Sequence, residues 1–233
     1  MTSDVPSGIL YLVSTPIGNL EDISPRAISV LSGVGLIAAE DTRTSSVLLR
    51  HYDIHTPLIS YYSYNEERRT PELIRKLASG MSVALISDAG TPGISDPAYR
   101  VVRAALDESI DVIPVPGPAA FLSALVVSGL PSEHFAFEGF LPVKKGRRTA
   151  LERLRSERAT IILYESPHRL LRTLKELRES LGDRESAVAR ELTKKFEEVR
   201  RGHLSSHIEH FTTKAPRGEF VLIVRGKSPQ RET

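Results

Sequence analysis

Four segments of this 233-residue chain pair chemically active side chains with residues that let a backbone close on a ligand. The first, Tyr11-Leu-Val-Ser-Thr15-Pro16-Ile-Gly18-Asn19-Leu20, runs an apolar stretch into a Pro-Gly-Asn turn. The second, Ala38-Ala39-Glu40-Asp41-Thr42-Arg43, ends an apolar run in two acids, a hydroxyl and an arginine. Asp41 is also placed to cap a following helix, and the two roles can coexist. The third, Ile86-Ser87-Asp88-Ala89-Gly90-Thr91-Pro92-Gly93-Ile94-Ser95-Asp96-Pro97, is built of small residues, glycines and prolines. Such a loop admits close backbone approach. It carries carboxylates and no lysine, so it suits a cationic or zwitterionic ligand better than a triphosphate. The fourth, Val115-Pro116-Gly117-Pro118-Ala119-Ala120, is a rigid turn ending in small residues.

Other matches fail on mechanism. Gly33-Val-Gly35-Leu-Ile-Ala38 spells the dinucleotide fingerprint but precedes a strand instead of joining a strand to a helix. Gly226-Lys227-Ser228 lacks the first glycine of a P-loop, since position 221 is Val. His51/His55 and His203/His207 have i,i+4 spacing without the glutamate of a zinc protease, so no metal site is expected.

The elements that must position these loops follow from the pattern. In the first half, apolar runs at 9–14, 36–39, 83–87 and 111–115 alternate with helical periodicity near 24–31, 44–51, 71–77 and 98–106. Runs without polar alternation predict strands buried on both faces. Their alternation with helices predicts an α/β layer with a mainly parallel sheet. Loops at the carboxyl ends of such strands are where these sheets bind ligands. The Pro114–Pro118 punctuation predicts a boundary between domains 1–117 and 118–233. The second half reads as α+β: helices at 119–127 and 167–181, and strands at 135–140, 160–165, 187–191 and 220–225.

Composition narrows the class. At 40% hydrophobic and 26% charged residues the chain is globular. The absence of cysteine excludes a disulfide scaffold, a thiol nucleophile and thiolate metal sites. No apolar run reaches bilayer length and the first residues show no secretory pattern, which predicts a cytoplasmic protein with no membrane partner. Residues 1–117 hold 9 Lys+Arg against 14 Asp+Glu, and residues 118–233 hold 22 against 15. A basic second half suits a polyanion, through counterion release, or reflects solvated helix faces.

The order of these four segments resembles the tetrapyrrole (corrin/porphyrin) methylase superfamily. Tyr164-Glu165-Ser166-Pro167-His168-Arg169-Leu170 and Arg190-Glu191-Leu192-Thr193-Lys194-Lys195-Phe196-Glu197-Glu198 resemble its branch that methylates cytidine 2′-oxygens of small-subunit (16S) ribosomal RNA. The likeness spans roughly residues 8 to 226. It implies two α/β domains with S-adenosylmethionine in a cleft between them, a homodimer, and methyl transfer to a ribose hydroxyl. By motif position it implies cofactor contacts at Pro16, Ala89, Gly90, Thr91, Ile94, Ala119, Ala120, Glu165 and Leu192. The superfamily's Gly-Asp-Pro is here Gly90-Thr91-Pro92, which leaves Asp88 to supply the carboxylate.

Methyl transfer from a sulfonium needs alignment above all, with a base to take the hydroxyl proton. Asp41 is the expected base, ahead of Glu165, Glu191 and Lys194. Arg43, Arg190, Lys194 and Lys195 are expected to grip phosphates around the target, and Lys144, Lys145, Arg147 and Arg148 to touch RNA peripherally. Tyr61, Tyr62 and Tyr64 are candidates for stacking on a splayed base or for plain packing. The substrate would be ribosomal RNA, free or within the assembled small subunit. The competing readings are methylation of a tetrapyrrole precursor by the same fold, and a non-enzymatic RNA-binding protein.

Overall fold

The structure is a computed structural model and describes residues 8–227. The N-terminal residues without a secretory pattern and Ser228 of the P-loop-like triplet lie outside the described residues. The chain divides into two compact units, Met1–Ala119 and Ala120–Thr233.

In the first unit, strands β1 (Leu10–Val13), β2 (Leu36–Ala39), β3 (Leu58–Ser60), β4 (Val83–Ile86) and β5 (Val112–Val115) form one sheet in the order β3-β2-β4-β1-β5. All its pairings are parallel. Helices α1 (Pro25–Gly33), α2 (Thr42–His51), α3 (Glu66–Ala78) and α4 (Tyr99–Asp107) cover it. Strand alternation splits the core in two. Ile37, Ala39, Ala84 and Ile86 join Ala27, Leu31 and Leu48 on one face. Leu36, Ala38, Val83 and Leu85 join Leu73, Leu77 and Val101 on the other. Pro114 is tolerated because β5 is an edge strand.

Tyr61 is 1% exposed, and its hydroxyl shares a 2.9 Å hydrogen bond with the Thr70 hydroxyl. It is therefore a core residue and not a stacking platform; Tyr62 and Tyr64 are exposed.

The second unit holds a mixed sheet of β6 (Phe135–Phe140), β7 (Thr160–Glu165), β8 (Glu185–Arg190), β9 (Glu198–His203) and β10 (Phe220–Val224), in the order β6-β7-β10-β8-β9. β6 and β7 are parallel and the remaining pairs antiparallel. α5 (Ala120–Ser128) packs against β7, β8, β9 and β10. α6 (Arg147–Leu154), α7 (Pro167–Leu181) and α8 (Leu204–Thr213) contribute Leu151, Leu174, Leu177 and Phe211 to a core shared with Ile161, Leu163, Val188 and Leu222.

Inside this unit lies a polar network. The Arg147 guanidinium donates to Glu176 at 2.6 Å, to the Pro142 carbonyl at 3.0 Å and to the Thr173 hydroxyl at 2.7 Å. Thr173 passes its own proton to Glu165 at 2.6 Å. Arg147 is only 4% exposed. This corrects the expectation of an RNA contact: the fork that would meet a phosphate is spent inside the protein. Its neighbours Lys144, Lys145 and Arg148 are exposed.

Candidate functional site

The chain leaves β1 toward β2 and leaves β4 toward β5, on opposite sides of the sheet, although β1 and β4 are neighbours. The two connections therefore pass each other on opposite faces of the sheet, α1 on one and α4 on the other, and the crevice outside such strand ends is where α/β sheets take ligands. Three of the four segments singled out by sequence converge there. Thr15 and Gly90 exchange backbone hydrogen bonds of 2.8 and 3.0 Å across it. The Thr15 hydroxyl donates to the Ser87 carbonyl at 3.2 Å. Thr91 donates to the Pro118 carbonyl at 3.2 Å and lies 2.9 Å from the Ser14 hydroxyl, which ties in the fourth segment.

The loop's backbone is unusual. Gly90 and Gly93 have φ of 83° and 87°, and Ser95, which has a Cβ, also adopts a positive φ of 70°. Non-glycine residues held there are frequent at functional sites. A Cβ on Gly117 would lie 2.9 Å from the Ser14 Cβ, so the fourth segment can pass β1 only with glycine at that point.

A second clasp joins β2 to β4. The Asp41 N–H donates to the Asp88 carboxylate at 2.9 Å, while Glu40 accepts from the Asp88 backbone. Burial raises the pKa of both Glu40 and Asp88. Asp96 is affected most: burial, then the charge of Glu40, push it up to about 7, against a smaller opposing hydrogen bond from Ser87. Asp41 behaves oppositely. Its carboxylate caps α2 at the Arg43 N–H and is gripped by the Arg43 guanidinium at 2.6 Å. Those bonds hold its pKa down at about 2.

This orders the loop carboxylates differently by charge state than the sequence reading did. A carboxylate at about 2 has little affinity for a proton at neutral pH, whereas one near 7 is poised to accept it. Glu165 serves no better as a base, because Thr173, the Ser166 N–H and Arg169 surround its buried carboxylate. Glu191 and Lys194 are paired with each other at 3.2 Å, and Lys194 also with Glu219 at 2.7 Å. The sequence offered no ranking that singled out Asp96. Its shift depends on Glu40, a residue on a different strand end, and on burial that only the fold creates.

The remaining expected residues sort by environment. Pro16 and Gly90 are buried, Thr91, Ile94, Ala119 and Ala120 are half-buried, and Asp88 and Ala89 are exposed. Leu192 is buried between Glu191 and Thr193, both at positive φ. Glu165 can offer a ligand only its backbone, since its carboxylate is already bonded. Arg190 donates to the Arg217 carbonyl at 2.6 Å and pairs with Glu198, so it and Lys194 hold the 190–198 turn together rather than standing open to phosphates. Arg43 is 89% exposed along its side chain and Lys195 is exposed.

The acid-rich loops, without a lysine among residues 86–97, fit a ligand carrying a sulfonium and an ammonium. A family model described as Tetrapyrrole (Corrin/Porphyrin) Methylases matches residues 9–207. A protein named Ribosomal RNA small subunit methyltransferase I from Synechocystis sp. is 53% identical, over 96% of this chain and 81% of its own. Proteins of the same name from Thermotoga maritima and Escherichia coli O157:H7 are 49% and 46% identical, over 94% and 99% of this chain and 99% and 82% of theirs. Among solved structures, a diphthine synthase superimposes with a TM-score of 0.75 at 14% identity, covering 95% of this chain and 91% of that one. The uroporphyrin-III-C-methyltransferase from Thermus thermophilus gives 0.67 at 22% identity, with 94% of each chain covered.

Proposed function

The chain belongs to the tetrapyrrole (corrin/porphyrin) methylase family, and from that premise we propose that it methylates the 2′-oxygen of a cytidine in small-subunit ribosomal RNA. It is an S-adenosylmethionine-dependent methyltransferase. The observation that carries the RNA substrate is near-full-length identity of 46–53% to proteins named for that activity, against 22% or less to the tetrapyrrole and diphthine enzymes that share the fold. The same reading makes the protein a cytoplasmic homodimer that meets its RNA in the small subunit. No helix among the described residues is long and apolar enough to cross a membrane.

When bound, S-adenosylmethionine would supply the methyl group, carried on a sulfonium whose displacement leaves a neutral thioether. The residues that would hold the donor are the 88–94 loop, Pro16 and Ala119 of the first unit, and, of the second, Ala120 and the backbones of Glu165 and Leu192. Asp88 and Glu40 favour its positive charges. Asp96 accepts the 2′-hydroxyl proton, in place of Asp41, which fixes α2 and Arg43.

Calorimetric titration with S-adenosylmethionine tests the first part. One-to-one binding per chain is expected, weakened on the order of 10-fold in Ala120→Leu, because added methylenes in a close-packed contact clash. Unaltered affinity in that variant places the donor elsewhere. Labelled methyl transfer to unmodified small subunits, followed by alkaline hydrolysis, tests the acceptor. Label must survive in an alkali-resistant dinucleotide, since a 2′-methoxy group blocks strand scission; label in a tetrapyrrole precursor instead would establish the rival reading. Reversing Lys144, Lys145 and Arg148 to Glu is expected to weaken RNA binding on the order of 10-fold and leave donor affinity intact. Unchanged RNA affinity would remove that segment from the interface.

A further inference from the structure

A cavity of about 430 Å³ opens in the second unit, at the edge formed by β8, β9, the end of α8 and the loop before β10. None of the proposed donor-binding residues lines it. Its walls combine three features that rarely meet by chance. Phe196, on its rim, is 64% exposed, and the Lys195 ammonium stands 5.7 Å from the ring centre. Lys214 and Arg217 are exposed and enter no ion pair among the described residues, whereas the one acidic lining residue, Glu198, is already matched by Arg190 and Arg200. The His210 Nε2 is shielded from solvent and has no hydrogen-bond partner among the described residues. Burial and then the Arg200 charge keep that imidazole below its usual pKa.

A flat apolar ring beside two cations without ion-pair partners among the described residues matches a planar base joined to a phosphate. Stacking on an aromatic side chain accepts any base, and cations beside it follow the backbone. We propose that this cavity holds an unpaired nucleotide of the ribosomal RNA near the methylated residue, its base on Phe196 and its phosphate between Lys214 and Arg217. The volume lies in the range of small-ligand sites. This inference rests on the ribosomal RNA reading above.

The test measures affinity for unmodified small ribosomal subunits as a function of salt, in the full-length protein. Phe196→Ala is expected to weaken binding about 10-fold, the scale of one lost stack. Phe196→Tyr should restore it, because tyrosine stacks equally well. Lys214→Gln and Arg217→Gln should each lower the slope of log affinity against log salt by about one, the signature of one phosphate contact. S-adenosylhomocysteine affinity and thermal midpoint report whether each variant is folded. Wild-type affinity in Phe196→Ala, or failure of Phe196→Tyr to rescue a folded Phe196→Ala defect, overturns the stack. Unchanged slopes in both glutamine variants overturn the phosphate contacts. If those results come from an enzyme that still methylates the subunits, this site alone is lost. If the unaltered protein neither binds nor methylates the subunits, the ribosomal RNA reading falls with it.

Discussion

Replacing Asp96 with Asn slows methyl transfer about 10²-fold in single-turnover assays, the usual worth of a positioned general base. In the unaltered enzyme the rate should rise with pH through an inflection near 7, where Asp96 gives up its proton, and then level off. The Asn variant should show no such inflection. Asp41→Asn is the contrast: its amide oxygen can still cap α2 at the Arg43 N–H, and it removes the charge that pairs with the Arg43 guanidinium but no proton acceptor, so the chemical step should stay within a few-fold. Stability separates loss of chemistry from loss of fold. The Asp96 carboxyl titrates at about 7 in the folded chain and at 3.8 without its surroundings, so the folded state holds the proton more tightly. Stability attached to this group is complete below about pH 4, declines as pH rises toward 7, and stays at its lower level above that. The difference would be worth ~4 kcal/mol in a dry site, and the solvent reaching Asp96 reduces it to about 1–2 kcal/mol. Asp96→Asn should therefore unfold at a higher temperature than the unaltered protein at pH 8 and at nearly the same temperature at pH 4. An Asn variant that keeps the wild-type rate, or keeps the inflection, ends the assignment.

The second large effect concerns stability alone. Arg147→Ala should destabilise the second unit by about 3 kcal/mol, in the range for removing one partner of a buried ion pair. The substitution leaves Thr173 without its donor, takes the Arg147 hydrogen bond from the Pro142 carbonyl and leaves Glu176 with Arg172 alone of its two arginine partners. For a chain of this length that lowers the melting temperature by about 6–12 °C. Arg148→Ala, one residue on, should shift it hardly at all, because its pair with Glu152 is exposed. Equal melting temperatures for the two variants would show that the buried fork contributes nothing. Denaturant unfolding with probes in each unit gives the free energies directly.

These two residues also mark where the sequence stops being legible. Four of the five strands described in the first unit could be read because residues buried on both faces leave an unbroken apolar run, as in Leu36–Ala39 and Val83–Ile86, whereas the three half-buried residues of β3 at the sheet edge leave no such run. α7 could be read from Pro167 at its start and Gly182 at its end. β9 was missed: Glu-Val-Arg-Arg-Gly-His has the composition of a solvated turn and becomes a strand only because it borders β8 at the sheet edge. α8, which follows it directly, was missed with it. α3 begins at Glu66, ahead of the expected Pro71, which the structure places inside the helix instead of at its first position. The ligand loops could be recognised because glycine, proline and small residues at fixed offsets are a local signal. Charge state is not local. Arg147 looked like one more cation in a basic run, and Asp96 like one more loop acid, until the fold buried one and surrounded the other with like charge.

The sheet order has a consequence for synthesis at the ribosome. β1 is the first strand made, yet it lies between β4 and β5, and its neighbours end at Ile86 and Val115. At about 5–20 residues per second, roughly 5–20 s pass between translation of β1 and completion of its second neighbour. Through that interval a Leu-Tyr-Leu-Val segment has no native partner on one or both sides. The nascent chain is therefore committed to a waiting period in which an apolar interior strand has its pairing edges open, and protection there has to come from outside the fold.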